Sequence, residues 1–315
     1  MHPEVNVSLI TSLYTGKTFI TLEYFSLNAI VTKSKEWSQS VGNPQDTSET
    51  ICDEINLLYD ENIKSISKHI PTRLKPINDE SFGHYLAGLI DGDGHFSKIQ
   101  QLVIAFDIKD VFLAYFIKKT LGFGQVKKVK NKNACIFIIS SKKGIEKVIN
   151  LINNKLRTDN RFNQVIDNIL NHKKFDLLNS SIKFNKNNTN DFDNYWLAGF
   201  SDADASFQIK ILKRTNRKNM EVRLNFQIDQ KYNTILLDIK NFIGGNIRYR
   251  KSQNTYYYGS TSFGSAKKII SYFDVYTLLS SKYLNYIKWR KVYIMIQNKD
   301  HLNLKGIEQI NKLKY

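Results

Sequence analysis

Tyr85-Leu-Ala-Gly-Leu-Ile-Asp-Gly-Asp-Gly-His-Phe96 returns, 111 residues later, as Trp196-Leu-Ala-Gly-Phe-Ser-Asp-Ala-Asp-Ala-Ser-Phe207. An offset of that size is a domain-sized repeat and not a solenoid unit. Each copy reads as one or two turns of apolar helix ended by acidic residues. Ala87, Gly88, Ala198 and Gly199 are small and let two helix backbones approach closely. If the two helices pack on each other, their C-terminal ends meet and Asp93 lies beside Asp204. Two carboxylates there repel each other and face the negative ends of both helix dipoles, so nothing in stability favours them. A divalent cation relieves the repulsion, and Mg²⁺ prefers one or two carboxylates completed by water and phosphate oxygens. The pair therefore suits phosphodiester hydrolysis. One such acid alone is as readily a solvated cap; two copies in the same context outweigh that reading. An EF-hand is excluded, because counting from Asp91 puts Phe96 where the loop needs Gly and Leu102 where it needs Glu.

The flanks repeat as well. Leu102 to Ile108 and Val222 to Ile228 alternate as strands and lead into helices over Asp110 to Leu121 and Lys231 to Ile243. Gly124-Gln-Val-Lys127 and Gly245-Asn-Ile-Arg248 each open a further strand pair. Helices close the halves, over Lys142 to Ile152 and Arg161 to Leu170 in the first, and Ala266 to Tyr272 and Tyr283 to Gln297 in the second. The pattern predicts an α+β fold of two pseudo-twofold-related αββαββα halves, each a four-stranded antiparallel sheet with helices on one face. The expected division is a leader over 1–78, a first half over 79–180, a linker over 181–190 and a second half over 191–315. The leader carries no assignable chemistry beyond a turn at Val41-Gly-Asn-Pro44 and a short acidic helix within Ile51 to Ile66.

The formal charge of +17 calls for a polyanionic partner, and nucleic acid is the commonest. Met1 to Thr72 holds five Lys, no Arg and nine acidic residues, net −4, which leaves +21 for the rest. Basicity thus belongs to the body and not to a tail. Two cysteines, Cys52 and Cys135, with no zinc-ligand spacing exclude a disulfide framework or zinc finger. No apolar run reaches membrane-spanning length, and no membrane partner is expected.

The motif pair resembles the two signature helices of LAGLIDADG homing endonucleases, especially those encoded in group I introns of mitochondrial respiratory genes. The likeness runs from about Phe82 to the C-terminus. It implies that the second acid of each motif, Asp93 and Asp204, binds Mg²⁺ (or Mn²⁺), with the carbonyls of Gly92 and Ala203 in support. It implies water-positioning polar residues at Asp110 and Gln230, and a charge-stabilising lysine at Lys282. The matching position in Leu156-Arg-Thr-Asp-Asn-Arg161 is Asn160, with Arg161 or Arg157 as substitutes. The resemblance also implies a mitochondrial location (a chloroplast is the alternative), an exon-derived leader and a monomer that carries both halves of its site. Two further readings stand beside the nuclease: a maturase that binds group I intron RNA, and a DNA-binding regulator of the same descent.

A twisted sheet with helices on one face leaves the other free for the major groove of double-stranded DNA. In the second half the alternation turns Arg223, Asn225 and Gln227 outward, and by the same logic Gln208, Lys210, Asn246, Arg248 and Arg250. These side-chain types read G and A edges by paired hydrogen bonds. The first half offers Val103, Ala105 and Asp107 at its corresponding positions, and Gln125, Lys127 and Lys128 supply its polar content. Its first hairpin is nine residues shorter; the extra residues of the second include Lys213, Arg214, Arg217 and Lys218. The second half is therefore expected to carry more base readout and phosphate contact. Replacing Arg248 by Ala should relax specificity at one base-pair position by about 1–3 kcal/mol, whereas Lys213→Ala should weaken binding to every sequence and lower the salt slope by about 1. Binding titrations on a mutated-site panel at several salt concentrations check this; equal, sequence-blind losses from both variants contradict it.

Overall fold

The computed structural model describes residues 65–213 and 220–314. The expectations for residues 1–64, including most of the acidic helix, and for Arg214, Arg217 and Lys218 lie outside the described residues. Ser65–Tyr315 forms one unit.

Asn78 starts the first motif helix. Its side chain accepts from the Ser81 backbone N–H at 2.8 Å while Ser81 Oγ accepts from the Asn78 N–H at 3.3 Å, a reciprocal capping box. Asp79 and Glu80 in the first turn suit the helix dipole. This helix, α1 (Asp79–Asp93), passes without a loop into β1 (Gly94–Phe96). There follow β2 (Leu102–Asp107), α2 (Val111–Leu121), β3 (Gln125–Lys128), β4 (Ala134–Ile139), α3 (Lys142–Ile152), α4 (Asp159–Val165), which runs on into a π turn, and the short α5 (Asp176–Ser181). The second half repeats the series with α6 (Trp196–Asp204), β5 (Ala205–Leu212), β6 (Glu221–Gln230), α7 (Thr234–Ile243), β7 (Asn246–Arg250), β8 (Thr255–Ser260), α8 (Phe263–Val275) and α9 (Lys282–Gln297). A last helix, α10 (Leu304–Leu313), was not expected from the sequence, where its polar face masks an apolar stripe ending in the buried Ile310.

The sheets have matching topologies, β1-β2-β4-β3 and β5-β6-β8-β7, with every pair antiparallel. One face of each is apolar and packs on its helices: Phe96, Leu102, Ile104, Phe106 and Phe137 in the first, Ile209, Leu224, Phe226, Ile228 and Tyr258 in the second. The expected α+β architecture of two four-stranded halves is the one observed. No helix among the described residues is long and apolar enough to cross a membrane, and Cys135 is a buried free thiol.

The helices α1 and α6 cross at two glycines. A Cβ on Gly88 would lie 1.9 Å from the Trp196 carbonyl oxygen, and one on Gly199 would lie 2.0 Å from that of Tyr85. Backbone meets backbone, so only glycine fits.

Residues 65–78, assigned to the leader from the sequence, instead lie along the second half. Gln297 exchanges two hydrogen bonds with the Ile66 backbone, Arg73 Nε donates to the Leu278 carbonyl at 3.0 Å, Thr277 Oγ1 donates to that of Leu74 at 2.5 Å, and Arg290 Nη2 donates to that of His69 at 3.1 Å. The linker is also held: the Arg157 guanidinium donates to the carbonyls of Thr189 and Asp191 and lies 4.4 Å above the Phe192 ring. These contacts join distant stretches, which local periodicity does not register.

Gly88→Ala should cost about 3 kcal/mol or more, because its methyl meets rigid backbone. Gly264→Ala, whose Cβ would meet nothing within 4 Å, should leave stability unchanged or raise it slightly. Urea unfolding of both variants checks this, and equal midpoints would show that the crossing tolerates a wider spacing.

Candidate active site and nucleic-acid interface

Each motif helix runs straight into a strand, so its last residue sits at a helix–strand junction beside the pseudo-twofold axis. A Cβ on Gly92 would come within 2.9 Å of Asp204 Oδ2 and 2.3 Å of the Ala203 Cβ, which measures how closely the two ends approach. Asp93 and Asp204 are half-buried there. Loss of hydration pushes both carboxyls up, and the negative charge of Asp204 pushes Asp93 further. Lys282 and Arg161 oppose the rise at both, and Gln230 Nε2, which donates to Asp204 Oδ2 at 2.6 Å, opposes it at Asp204.

The first acids, Asp91 and Asp202, do different work. Both are buried. Asp202 accepts from the N–H groups of Leu279 and Ser280 at 2.7 and 3.2 Å, from Ser280 Oγ at 2.5 Å and from the Tyr85 hydroxyl at 2.7 Å. Asp91 accepts from the N–H groups of Arg157 and Thr158 at 2.8 and 3.2 Å, from Thr158 Oγ1 at 2.5 Å and from Trp196 Nε1 at 2.9 Å. Burial pushes Asp91 up to about 6 in spite of these donors. The aromatic that opens each motif is thus bonded to the first acid of the other, and each acid fixes the loop that delivers a cation. This recurrence at the repeat offset was open to sequence reading and was missed.

The cations follow. Lys282 Nζ donates to the carbonyls of Ser201 and Ala203 at 3.3 and 2.6 Å. Arg161 donates through Nε to Ile90 and through Nη2 to Gly92, both at 3.2 Å. Ile90 and Gly92 correspond to Ser201 and Ala203, so Arg161 is the counterpart of Lys282. Asn160 is not: it is exposed and accepts from Gln164 Nε2 at 3.1 Å. The correction has a simple cause, since the guanidinium arrives from one residue further along and its longer reach closes the gap.

Gln230 has no such counterpart. Gly94 pairs with Ile104 and Ala205 with Ile228, so the register matches Gln230 to Phe106 and not to Asp110. The Asp110 carboxylate instead accepts from Ser281 N and Oγ at 2.5 and 3.1 Å, which steadies the residue before Lys282. Counting along the sequence aligned the aromatic residues and slipped the register.

The open face of the second sheet is polar as expected. Register places Gln208, Lys210, Arg223, Asn225, Gln227, Asn246, Arg248 and Arg250 on it, together with Asp229 and Tyr257, which were not anticipated. Asn225 is buried, not free: its Nδ2 donates to Gln208 at 3.1 Å and Gln227 at 3.4 Å. Gln227 Nε2 donates to Asp229 at 2.9 Å, Arg250 pairs with Asp229 at 3.4 Å, and Arg223 pairs with Glu221 at 2.5 Å. Lys210, Asn246, Arg248 and Lys213 are exposed. In the first sheet Gln125 and Lys127 share the open face, whereas Lys128 falls on the opposite register.

An oxygen-only donor set suits a hard divalent cation. Asp93 and Asp204 supply it with charge. The Gly92 and Ala203 carbonyls each accept one hydrogen bond from a cation already, which leaves each a second lone pair.

A family model described as LAGLIDADG endonuclease matches residues 86–169 and 197–293. The chain is 55% identical to an uncharacterized cox1 intron-2 37.2 kDa protein of Schizosaccharomyces pombe, over 97% of each chain. It is 30% identical to the intron-encoded DNA endonuclease aI3 of Saccharomyces cerevisiae over 70% of this chain, and spans 65% of that longer protein. Among solved structures, the LAGLIDADG homing endonuclease I-LtrWI bound to target DNA superposes with a TM-score of 0.63 at 23% identity, over 75% of this chain and 97% of its own, a likeness of fold.

Without a cation, both carboxyls hold protons in the folded chain that the unfolded chain has already lost between the ordinary carboxylate range and neutrality. Stability therefore falls as pH rises through that window. With a chelator present, Asp93→Asn should melt higher than the parent at about pH 8, and the difference should close towards about pH 4, where both are neutral. Melting curves across pH check the sign; a variant less stable at high pH would show that the pair is stabilising as built.

Proposed function

The chain belongs to the LAGLIDADG endonuclease family, and on that basis we propose that it is a site-specific homing endonuclease that hydrolyses one phosphodiester in each strand of a long double-stranded DNA site. The observation that carries this reading is the pairing of Asp93 and Asp204 at abutting helix ends, flanked by one cation from each half. Asp93 and Asp204, with the Gly92 and Ala203 carbonyls, would hold Mg²⁺ or Mn²⁺, which when bound supplies Lewis-acid charge to the phosphate and acidifies a nearby water.

The chain's own groups do the rest. Asp204 orients the Gln230 amide through its Nε2 and leaves Oε1 free in direction to accept from a water. Lys282 uses two of three N–H donors and Arg161 two of five on carbonyls, so each retains donors for a phosphate or leaving oxygen. The second sheet docks in the major groove through Gln208, Lys210, Arg223, Gln227, Asn246, Arg248 and Arg250, with Asn225 bracing Gln208 and Gln227 from beneath. Gln125 and Lys127 act in the first. One chain carries both halves, so the enzyme works as a monomer. The cox1 intron relative supports a mitochondrial gene and site of action. The Arg161 position weakens the case for a maturase that has lost cutting, since both strands retain a cation.

Purified protein with Mg²⁺ should cut DNA that spans the uninterrupted junction of the host gene, and Asp93→Asn or Asp204→Asn should abolish cutting of both strands. Lys282→Met and Arg161→Met should each slow one strand by about 10²–10³ and leave nicked product. Cutting that persists in both Asp variants sinks the assignment, and tight binding of the intron transcript without any cut would favour the maturase.

A further inference from the structure

The two sheets share topology and register, so their open faces can be compared position by position. Val103 pairs with Ile138 and Ala105 with Ile136 across the two central strands of the first sheet. The same places in the second sheet hold Gln227 beside Gly259 and Asp229 beside Tyr257. The flanks match in kind: Gln125 answers Asn246, and Lys127 answers Arg248. On the other flank His95 answers Ser206, and the centre differs in kind, polar in one half and aliphatic in the other.

None of the four aliphatic residues belongs to the hydrophobic core, which is built from the opposite face. Val103, Ile136 and Ile138 are half-buried and Ala105 is 6% exposed. An aliphatic block on a sheet face calls for an apolar partner. Its frame calls for an anionic one: Lys127 and Lys130 are exposed on the hairpin beside it. Duplex DNA meets both demands where thymines line the major groove, because the 5-methyl group is the apolar feature a base pair presents there and phosphates border it. A G·C pair over these four side chains would lose its cytosine amino donor to groups that cannot accept, since the acceptors of this face, His95, Asp107 and Gln125, stand around the block and not within it.

Resting on the endonuclease reading, we propose that Val103, Ile136 and Ile138, with the buried Ala105 between them, are specificity residues that recognise thymine methyl groups, so that the half-site under the first sheet is thymine-rich at its central positions while the other half-site is read by hydrogen bonds. The chain thus uses two chemistries of recognition on one pseudo-symmetric scaffold.

The test begins with selection of cleaved sites from a randomised duplex library. The half-site under the first sheet is identified as the one whose base preferences move in Lys127→Ala, and the other as the one that moves in Arg248→Ala. Deoxyuridine then replaces thymidine, which removes only the methyl groups. Binding should weaken about fourfold per methyl, the ratio expected for one buried CH₂-sized group, in the first half-site, and change less than about twofold in the second. Val103→Ala and Ile138→Ala should lose the thymidine-over-deoxyuridine preference in the first half-site alone. A first half-site without central thymines, or one indifferent to deoxyuridine, gives that face to another occupant and overturns the proposal. Failure to recover any cut site overturns the endonuclease reading instead.

Discussion

The structure depends on how closely α1 and α6 cross. Gly88 and Gly199 bring backbone against backbone, and that proximity determines what lies at the helix ends. It also sets the reciprocal bonds by which Tyr85 reaches Asp202 and Trp196 reaches Asp91. Buried hydrogen-bonded acids of this kind fix geometry more than they add stability, because leaving any of their partners unpaired is costly. The energetic penalty of crowding Asp93 against Asp204 is thereby offset by a crossing that cannot relax apart.

From that centre the catalytic groups inherit their positions. Asp91 and Asp202 hold the loops that end in Arg161 and Lys282, and Asp110 of the first half steadies Ser281 of the second. The two halves are therefore coupled at the level of single side chains. Symmetry is kept in the acids and cations and broken in Gln230, whose counterpart by register is Phe106.

Much of this was legible in the sequence. The repeat of Tyr85 to Phe96 at Trp196 to Phe207 carries the two halves, the paired acids and the alternating strands, since local periodicity records them. What escaped has a common physical origin. Of the two substitutes the sequence offered for Asn160, the structure uses Arg161 on the carbonyls of Ile90 and Gly92 and turns Arg157 to the linker, a choice that residue type and count do not make. Asp110 was matched to Gln230 by aligning Phe106 with Phe226, whereas hydrogen-bond register aligns Leu102 with Phe226. Asn225 alternates outward as foreseen, yet its neighbours Gln208 and Gln227 close over it. All three are settled by side-chain reach or strand register, which the alternation of residue types does not record.

The strap formed by residues 65–78 bears on the order of assembly. Its anchors, Leu278, Arg290 and Gln297, lie 205 to 231 residues downstream. During synthesis the strap leaves the ribosome 205 to 231 residues ahead of these anchors, so it stays undocked until they have been made. Closing so long a loop belongs to the slow, non-local steps of folding. The α1 helix that follows the strap is thus anchored upstream only once α9, which carries Arg290 and Gln297, has been made.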